Sequence, residues 1–129
     1  MTEIEGRPGD GSADGFDPDC VFCRIVRGDF GTTFVAETAN AVAFADLSPQ
    51  APTHVLVVPR RHLPDLPAAS GAEALLGELL GLAGRVASEA GLDERGYRVL
   101  TNTGPDAGQS VFHLHFHVLG GRPMGLGLG

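Results

Sequence analysis

Apolar residues cluster in five short runs and one long periodic stretch. The runs TTFVAE and AVAFADL carry the β-branched and aromatic residues of strands, and Thr38 to Asn40 between them marks a hairpin turn. HVLVVP, bounded by prolines, is apolar at every position after its histidine, the pattern of a strand buried on both faces. YRVLTN and VFHLHFHVL add two strands joined by the loop TGPDAGQS. Between Ser70 and Ala90 the period changes: Leu75, Leu76, Leu79, Leu82, Ala83, Val86 and Ala87 recur every three or four residues, the stripe of an amphipathic helix. Ser70 with Glu73 reads as a capping box at its start, and Gly91 as a left-handed stop. CVFCRIVRG reads as a short helical segment ended by Gly28. Five strands with short connections and one long helix predict an α+β fold.

At 129 residues the chain has the length of one domain. Residues 1–18 lack aliphatic periodicity and are expected to form a disordered acidic leader, leaving 19–129 as the folded domain. The net charge of −7 is mostly leader: Met1 to Asp19 hold six acids against one arginine. The rest has no basic stripe, which argues against a protein that wraps nucleic acid. No run approaches the length of a membrane span, and the acidic, glycine-rich start resembles neither a secretory signal nor a transit peptide, so a soluble, cytoplasmic protein is expected. The chain contains no lysine, which excludes a P-loop lysine, a Schiff base and a lysine general base.

The chemistry lies in His113-Leu114-His115-Phe116-His117. On an extended chain the side-chain period is two, so the three imidazoles share one face and Leu114, Phe116 and Val118 the other. Three ionisable rings on one face are costly without partners, which sets them apart from a lone core histidine. His54 and His62 flank HVLVVP, which a compact sheet brings close. Cys20 and Cys23 form a C-x-x-C pair, a candidate for metal or redox chemistry, or two reduced thiols packed as small apolar residues.

The runs AFADLSPQAPTH, GYRVLTN and GQSVFHLHFHVLGGRP resemble the histidine-triad (HIT) family, in particular its Hint branch of purine-nucleoside phosphoramidases; the likeness covers roughly Cys20 to Met124. The resemblance implies a HIT fold, a five-stranded antiparallel sheet with the long helix against it, and a homodimer with one continuous ten-stranded sheet. It implies that His115 attacks phosphorus to form a nucleotidyl-histidine, its second ring nitrogen held by a backbone carbonyl of the same strand that the histidine at His54 supports. His117, Asn102, Gly108 and Ser110 then hold phosphate oxygens, with Ser110 also near the leaving group. Asp46 takes the ribose hydroxyls, and Val21, Phe22, Phe44 and Leu47 form a purine slot, although core packing accounts equally for Phe44 and Leu47. The tail GRPMGLGLG lacks the tryptophan of animal members, and Arg122 has no assigned role.

In many bacterial HIT proteins and in galactose-1-phosphate uridylyltransferases, a C-x-x-C pair joins two histidines around structural zinc. The matching set here is Cys20, Cys23, His62 and His113, a closed tetrahedral site. With Arg122 as the only cation beside the motif, the site reads as weakly basic, which favours purine nucleoside 5′-phosphoramidates over dinucleoside polyphosphates. Three alternatives stand beside this: a dinucleoside polyphosphate hydrolase of the same family, a nucleotide-binding regulator with vestigial catalysis, and a metal-binding module using all five histidines.

Overall fold

The computed structural model describes residues 15–125 and residue 127. The leader expected over 1–18 therefore lies, for residues 1–14, outside the described residues. Gly15 accepts a hydrogen bond from the His62 N–H, and Asp17 accepts one from the Cys20 N–H, so 15–18 runs against the folded part.

The short helix α1 spans Val21–Arg27, and Gly28 ends it in the left-handed region at φ 96°. There follow β1 (Ala36–Glu37), β2 (Ala41–Ala45), β3 (Thr53–Pro59), α2 (Glu73–Glu89), β4 (Tyr97–Leu100) and β5 (Phe116–Gly120). The strands form one antiparallel sheet in the order β1-β2-β3-β5-β4, the expected α+β architecture. The β1–β2 hairpin turns at Thr38, whose N–H donates to the Ala41 carbonyl.

β3 sits at the centre of the sheet, covered on both sides. Val55 and Val57 pack with Leu79, Leu82, Ala83 and Val86 of α2, while Leu56 and Val58 pack with Phe22, Cys23 and Ile25 of α1. A strand that alternates between two apolar layers has no polar face to show, which is why HVLVVP carries none. Val57 and Val58 are both fully buried, and each contributes on the order of 1.5–3 kcal/mol by leaving water.

Two local expectations differ. α2 begins at Glu73 with Ala72 as its N-cap and no capping side chain. Ser70 instead closes a 3-10 turn over Pro67–Ala69, and the left-handed Gly71 carries the chain away before the helix starts. Glu73 still closes the corner by accepting from the Gly71 N–H. The helix ends as expected, with Gly91 at φ +77° and the Leu92 N–H returning to Ala87.

The histidine strand is also shorter than its pattern, because β5 begins only at Phe116. Its ladder with β3 runs from Thr53↔Gly120 to Val57↔Phe116. Beyond that point Pro59 has no N–H to offer, its carbonyl accepts from His113, and the Leu114 N–H turns to the Leu63 carbonyl. The period of two nonetheless persists: Leu114, Phe116 and Val118 join the α2-side core, and Phe22 of α1 stacks edge-on against both His113 and His115.

Candidate active site

His115 is buried, and its Nδ1–H donates to the His113 carbonyl at 2.7 Å. A carbonyl only accepts, so the proton is on Nδ1 and Nε2 keeps its lone pair. Burial, the largest influence, lowers the pKa of His115, and the hydrogen bond to the His113 carbonyl offsets only part of this. The ring is therefore neutral at pH 7, with one nitrogen oriented and the other nucleophilic.

A second chain of hydrogen bonds fixes His117. The Gln50 N–H donates to His54 Nδ1 at 3.0 Å, which places the His54 proton on Nε2. That nitrogen lies 2.9 Å from His117 Nδ1, so His54 donates and His117 is left with Nε2–H as a donor. Burial, reinforced by His115 and His54, lowers the pKa of His117 to about 4, so it too is neutral. The Asp46 carboxylate approaches His54 Nε2 at 3.4 Å, and its other oxygen accepts from the Ser48 N–H. His54 thus bonds His117 and not the carbonyl behind His115. Thr101 holds the next odd-numbered carbonyl of the same segment, its hydroxyl donating to the backbone carbonyl of His115 itself at 2.7 Å.

The other named residues are placed as follows. Asn102 braces the glycine loop by donating to the Ala107 carbonyl. Gly108, left-handed at φ 76°, spends its N–H on Pro105 within a 3-10 turn. Ser110 is exposed and borders a cavity shared with Cys20, Val21 and His62. Gln109 holds the loop from both sides, accepting from the Gly104 N–H and donating to the Pro64 and Val111 carbonyls. Phe22 meets Phe44 edge-on at 5.6 Å, and Phe44 is core, whereas Leu47 is almost wholly exposed. Gln50, Thr101 and Gln109 were not singled out in the sequence: Thr101 and Gln109 reach the carbonyls of His115 and Pro64, distant in the chain, and Gln50 acts through its backbone N–H, which its side-chain type does not mark.

Cys20, Cys23, His62 and His113 converge, with every ligand atom within 4.8 Å of the others. Cys23 Sγ lies 3.3 Å from His62 Nδ1 and 3.5 Å from His113 Nδ1, and Cys20 Sγ lies 3.4 Å from His113 Nδ1. A tetrahedral zinc with sulfur at about 2.3 Å and nitrogen at about 2.0 Å needs sulfur–nitrogen edges of about 3.5 Å. The donor set fits that ion. His113 is oriented for it, since its Nε2–H donates to the Pro59 carbonyl and turns Nδ1 toward the thiols. Burial opposes ionisation of both thiols. Hydrogen bonding with His113 and His62 nevertheless brings Cys20 down to about 5, while burial and the Cys20 charge push Cys23 up to about 12. The seven cysteines and histidines do not form one cluster, because His54 and His117 bond each other and His115 bonds a carbonyl.

The chain is similar to known proteins of one family. The profile of the HIT domain matches residues 27–124. An uncharacterised HIT-like protein of Azospirillum brasilense is 47% identical over 112 residues, covering 85% of this chain and 92% of its own. The purine nucleoside phosphoramidase of Escherichia coli is 39% identical over 108 residues, covering 83% and 91%. Among solved structures, a HIT family hydrolase from Legionella pneumophila superposes with a TM-score of 0.83 at 40% identity, covering 86% of this chain and all of that one.

Proposed function

This chain belongs to the HIT domain family and is a HIT-type hydrolase, and from that premise we propose that it cleaves the P–N bond of purine nucleoside 5′-phosphoramidates through a nucleotidyl-His115 intermediate. The observation that carries this reading is the Nδ1–H of His115 on its own strand's carbonyl, which leaves Nε2 as a neutral nucleophile. In the first step Nε2 forms a bond to phosphorus, the P–N bond breaks, and the amine departs with the bonding pair and a proton relayed by Ser110. In the second step water attacks phosphorus, His115 leaves with its electron pair, and the water proton restores Ser110. His117, held by His54, offers Nε2–H to a phosphate oxygen as charge develops. Asn102 and Gly108 shape the loop beneath the phosphate. Asp46 receives the ribose hydroxyls, while Val21, Phe22 and Leu47 face the purine with Phe44 as the floor. The choice of a phosphoramidate follows the Escherichia coli relative.

In this reading the Cys20, Cys23, His62, His113 set holds structural zinc, which when bound supplies a cross-link and no chemistry. Both cysteines are free, which suits the reducing cytoplasm. The second edge of the sheet, β4, pairs with a second copy to form a homodimer.

His115→Ala is expected to lower turnover of adenosine 5′-phosphoramidate by several orders of magnitude in a variant that keeps its fold and its affinity for adenosine monophosphate. Steady-state kinetics, with mass spectrometry of acid-quenched wild-type protein for one added nucleotidyl group, checks both parts. A folded variant losing only a few-fold refutes the nucleophile. Parallel assays are expected to show kcat/KM for the phosphoramidate roughly tenfold above that for a diadenosine polyphosphate, about 1.4 kcal/mol of transition-state preference.

A further inference from the structure

Beside His117 the sheet face opens into a cavity of about 390 Å³, whose walls include Gln50, Arg98, Asn102 and Arg122. Its size lies in the lower part of the range for small-molecule sites. The strand register places it: Leu100 stands opposite His117 and Arg98 opposite Leu119, so Arg98 shares the face of the catalytic histidine one step along the ladder. The sequence offered only Arg122 beside the motif. Folding brings a second cation there.

Both guanidiniums are held by uncharged groups. Arg98 Nη2 donates to the Gly125 carbonyl at 3.0 Å, Arg122 Nη2 to the Gln50 carbonyl at 2.8 Å, and Arg122 Nη1 to the Pro123 carbonyl at 3.1 Å. Four other arginines lie beside carboxylates: Arg24 and Arg27 share Asp29, Arg60 meets Glu37 and Arg85 meets Glu89. Among the described residues Arg98 and Arg122, like Arg61 and Arg95, have no carboxylate ion-pair partner, and of these four Arg98 and Arg122 line one cavity. Each guanidinium has five donors, so three or more remain on each after the tethers are counted. Two positioned, uncompensated guanidiniums form a receptor for a small anion. His117 and Asn102, read above as phosphate-side groups, lie on the same cavity wall.

We propose that this cavity is the leaving-group subsite and that it selects an amine whose substituent carries an anion, the carboxylate of an N-linked amino acid being the favoured form. The inference rests on the hydrolase reading. The anion takes no part in bond making: the His115 Nε2–P bond forms, the P–N bond breaks, and the amine takes the bonding pair and the one proton relayed by Ser110, its carboxylate still held by Arg98 and Arg122. A phosphate-bearing amine presents the same chemistry to the same cations.

The test uses the full chain as purified and three adenosine 5′-phosphoramidates, N-linked to glycine, to glycinamide and to 2-aminoethyl phosphate. Either anionic substrate is expected to exceed the glycinamide compound tenfold or more in kcat/KM, and the better of the two identifies the source of the anion. Arg98→Met with Arg122→Met is expected to reduce that preference to threefold or less while the glycinamide compound is still turned over. Arg98→Lys with Arg122→Lys is expected to retain much of the preference, which separates charge from fold. Equal wild-type rates on all three compounds, or a preference that survives both methionine substitutions in a folded variant, overturns the subsite. Absence of turnover on all three overturns the hydrolase reading instead. The subsite then stands only if calorimetry with the same compounds shows a tenfold affinity preference for the anionic ones that the methionine variant loses.

Discussion

A neutral His117 is held in place by burial and by His54, and this gives the protein an acid-sensitive point. Its folded pKa of about 4 lies below the value of about 6.5 for an unperturbed histidine. Above pH 6.5 both folded and unfolded states carry the neutral ring, and stability is indifferent to it. Between pH 6.5 and 4 the unfolded chain binds a proton that the folded chain refuses, so stability falls as pH falls, and below 4 the loss is complete. Because the ring is only partly shielded, roughly 1–2 kcal/mol is expected from this residue. Melting temperatures between pH 7.5 and 4.5 are therefore expected to drop less steeply in His117→Gln than in wild type. Parallel curves for the two proteins contradict the assignment.

Single elements have separable roles. α1 is a short helix whose own hydrogen bonds would not hold it together; its Phe22, Cys23 and Ile25 anchor it to the sheet, and the four-residue thiol–imidazole set pins its first turn to His62 and His113. Protein prepared without chelator is expected to carry close to one zinc per chain by elemental analysis. Its removal should lower the melting temperature by several degrees and loosen α1 in hydrogen exchange. Negligible zinc refutes the structural site. α2 presents the opposite case, a helix longer than its sequence favours. Gly77 and Gly81 are exposed on it, and a methyl group at either meets nothing within 4 Å. Gly77→Ala and Gly81→Ala are each expected to stabilise by about 0.5–1 kcal/mol in denaturant unfolding.

At the scale of the molecule, the sheet has two edges, and they differ. β1 is two residues long, too short to template another strand, whereas β4 runs four residues with Tyr97 exposed beside it. Among the described residues β4 pairs only with β5. Sedimentation equilibrium at micromolar concentration is expected to give twice the 13.4 kDa chain mass, and a monomer under those conditions removes the β4-mediated dimer.

Much of this protein is determined by local pattern. The alternation of HLHFH put the three imidazoles opposite the α2-side core, and that outcome needs no knowledge of neighbours, because the side-chain period of an extended chain is a property of the backbone alone. The doubly apolar HVLVVP likewise marked the central strand. The C-x-x-C pair and the five histidines marked the candidate chemistry, although which histidine joins which cysteine rested on family resemblance. Distances across the fold were not legible. Whether Ser70 or Ala72 caps α2 depended on a 3-10 turn that the helical period does not encode. How far β5 extends depended on Pro59, a residue 57 positions before the strand begins, whose missing N–H and occupied carbonyl end the ladder. The choice of His117 over a carbonyl as partner for His54, the support of His115 by Thr101, and the meeting of Arg98 with Arg122 all join groups on different strands. Hydrogen bonds and cavities of this kind are set by sheet order and register, which many local patterns share and only the packed tertiary structure decides.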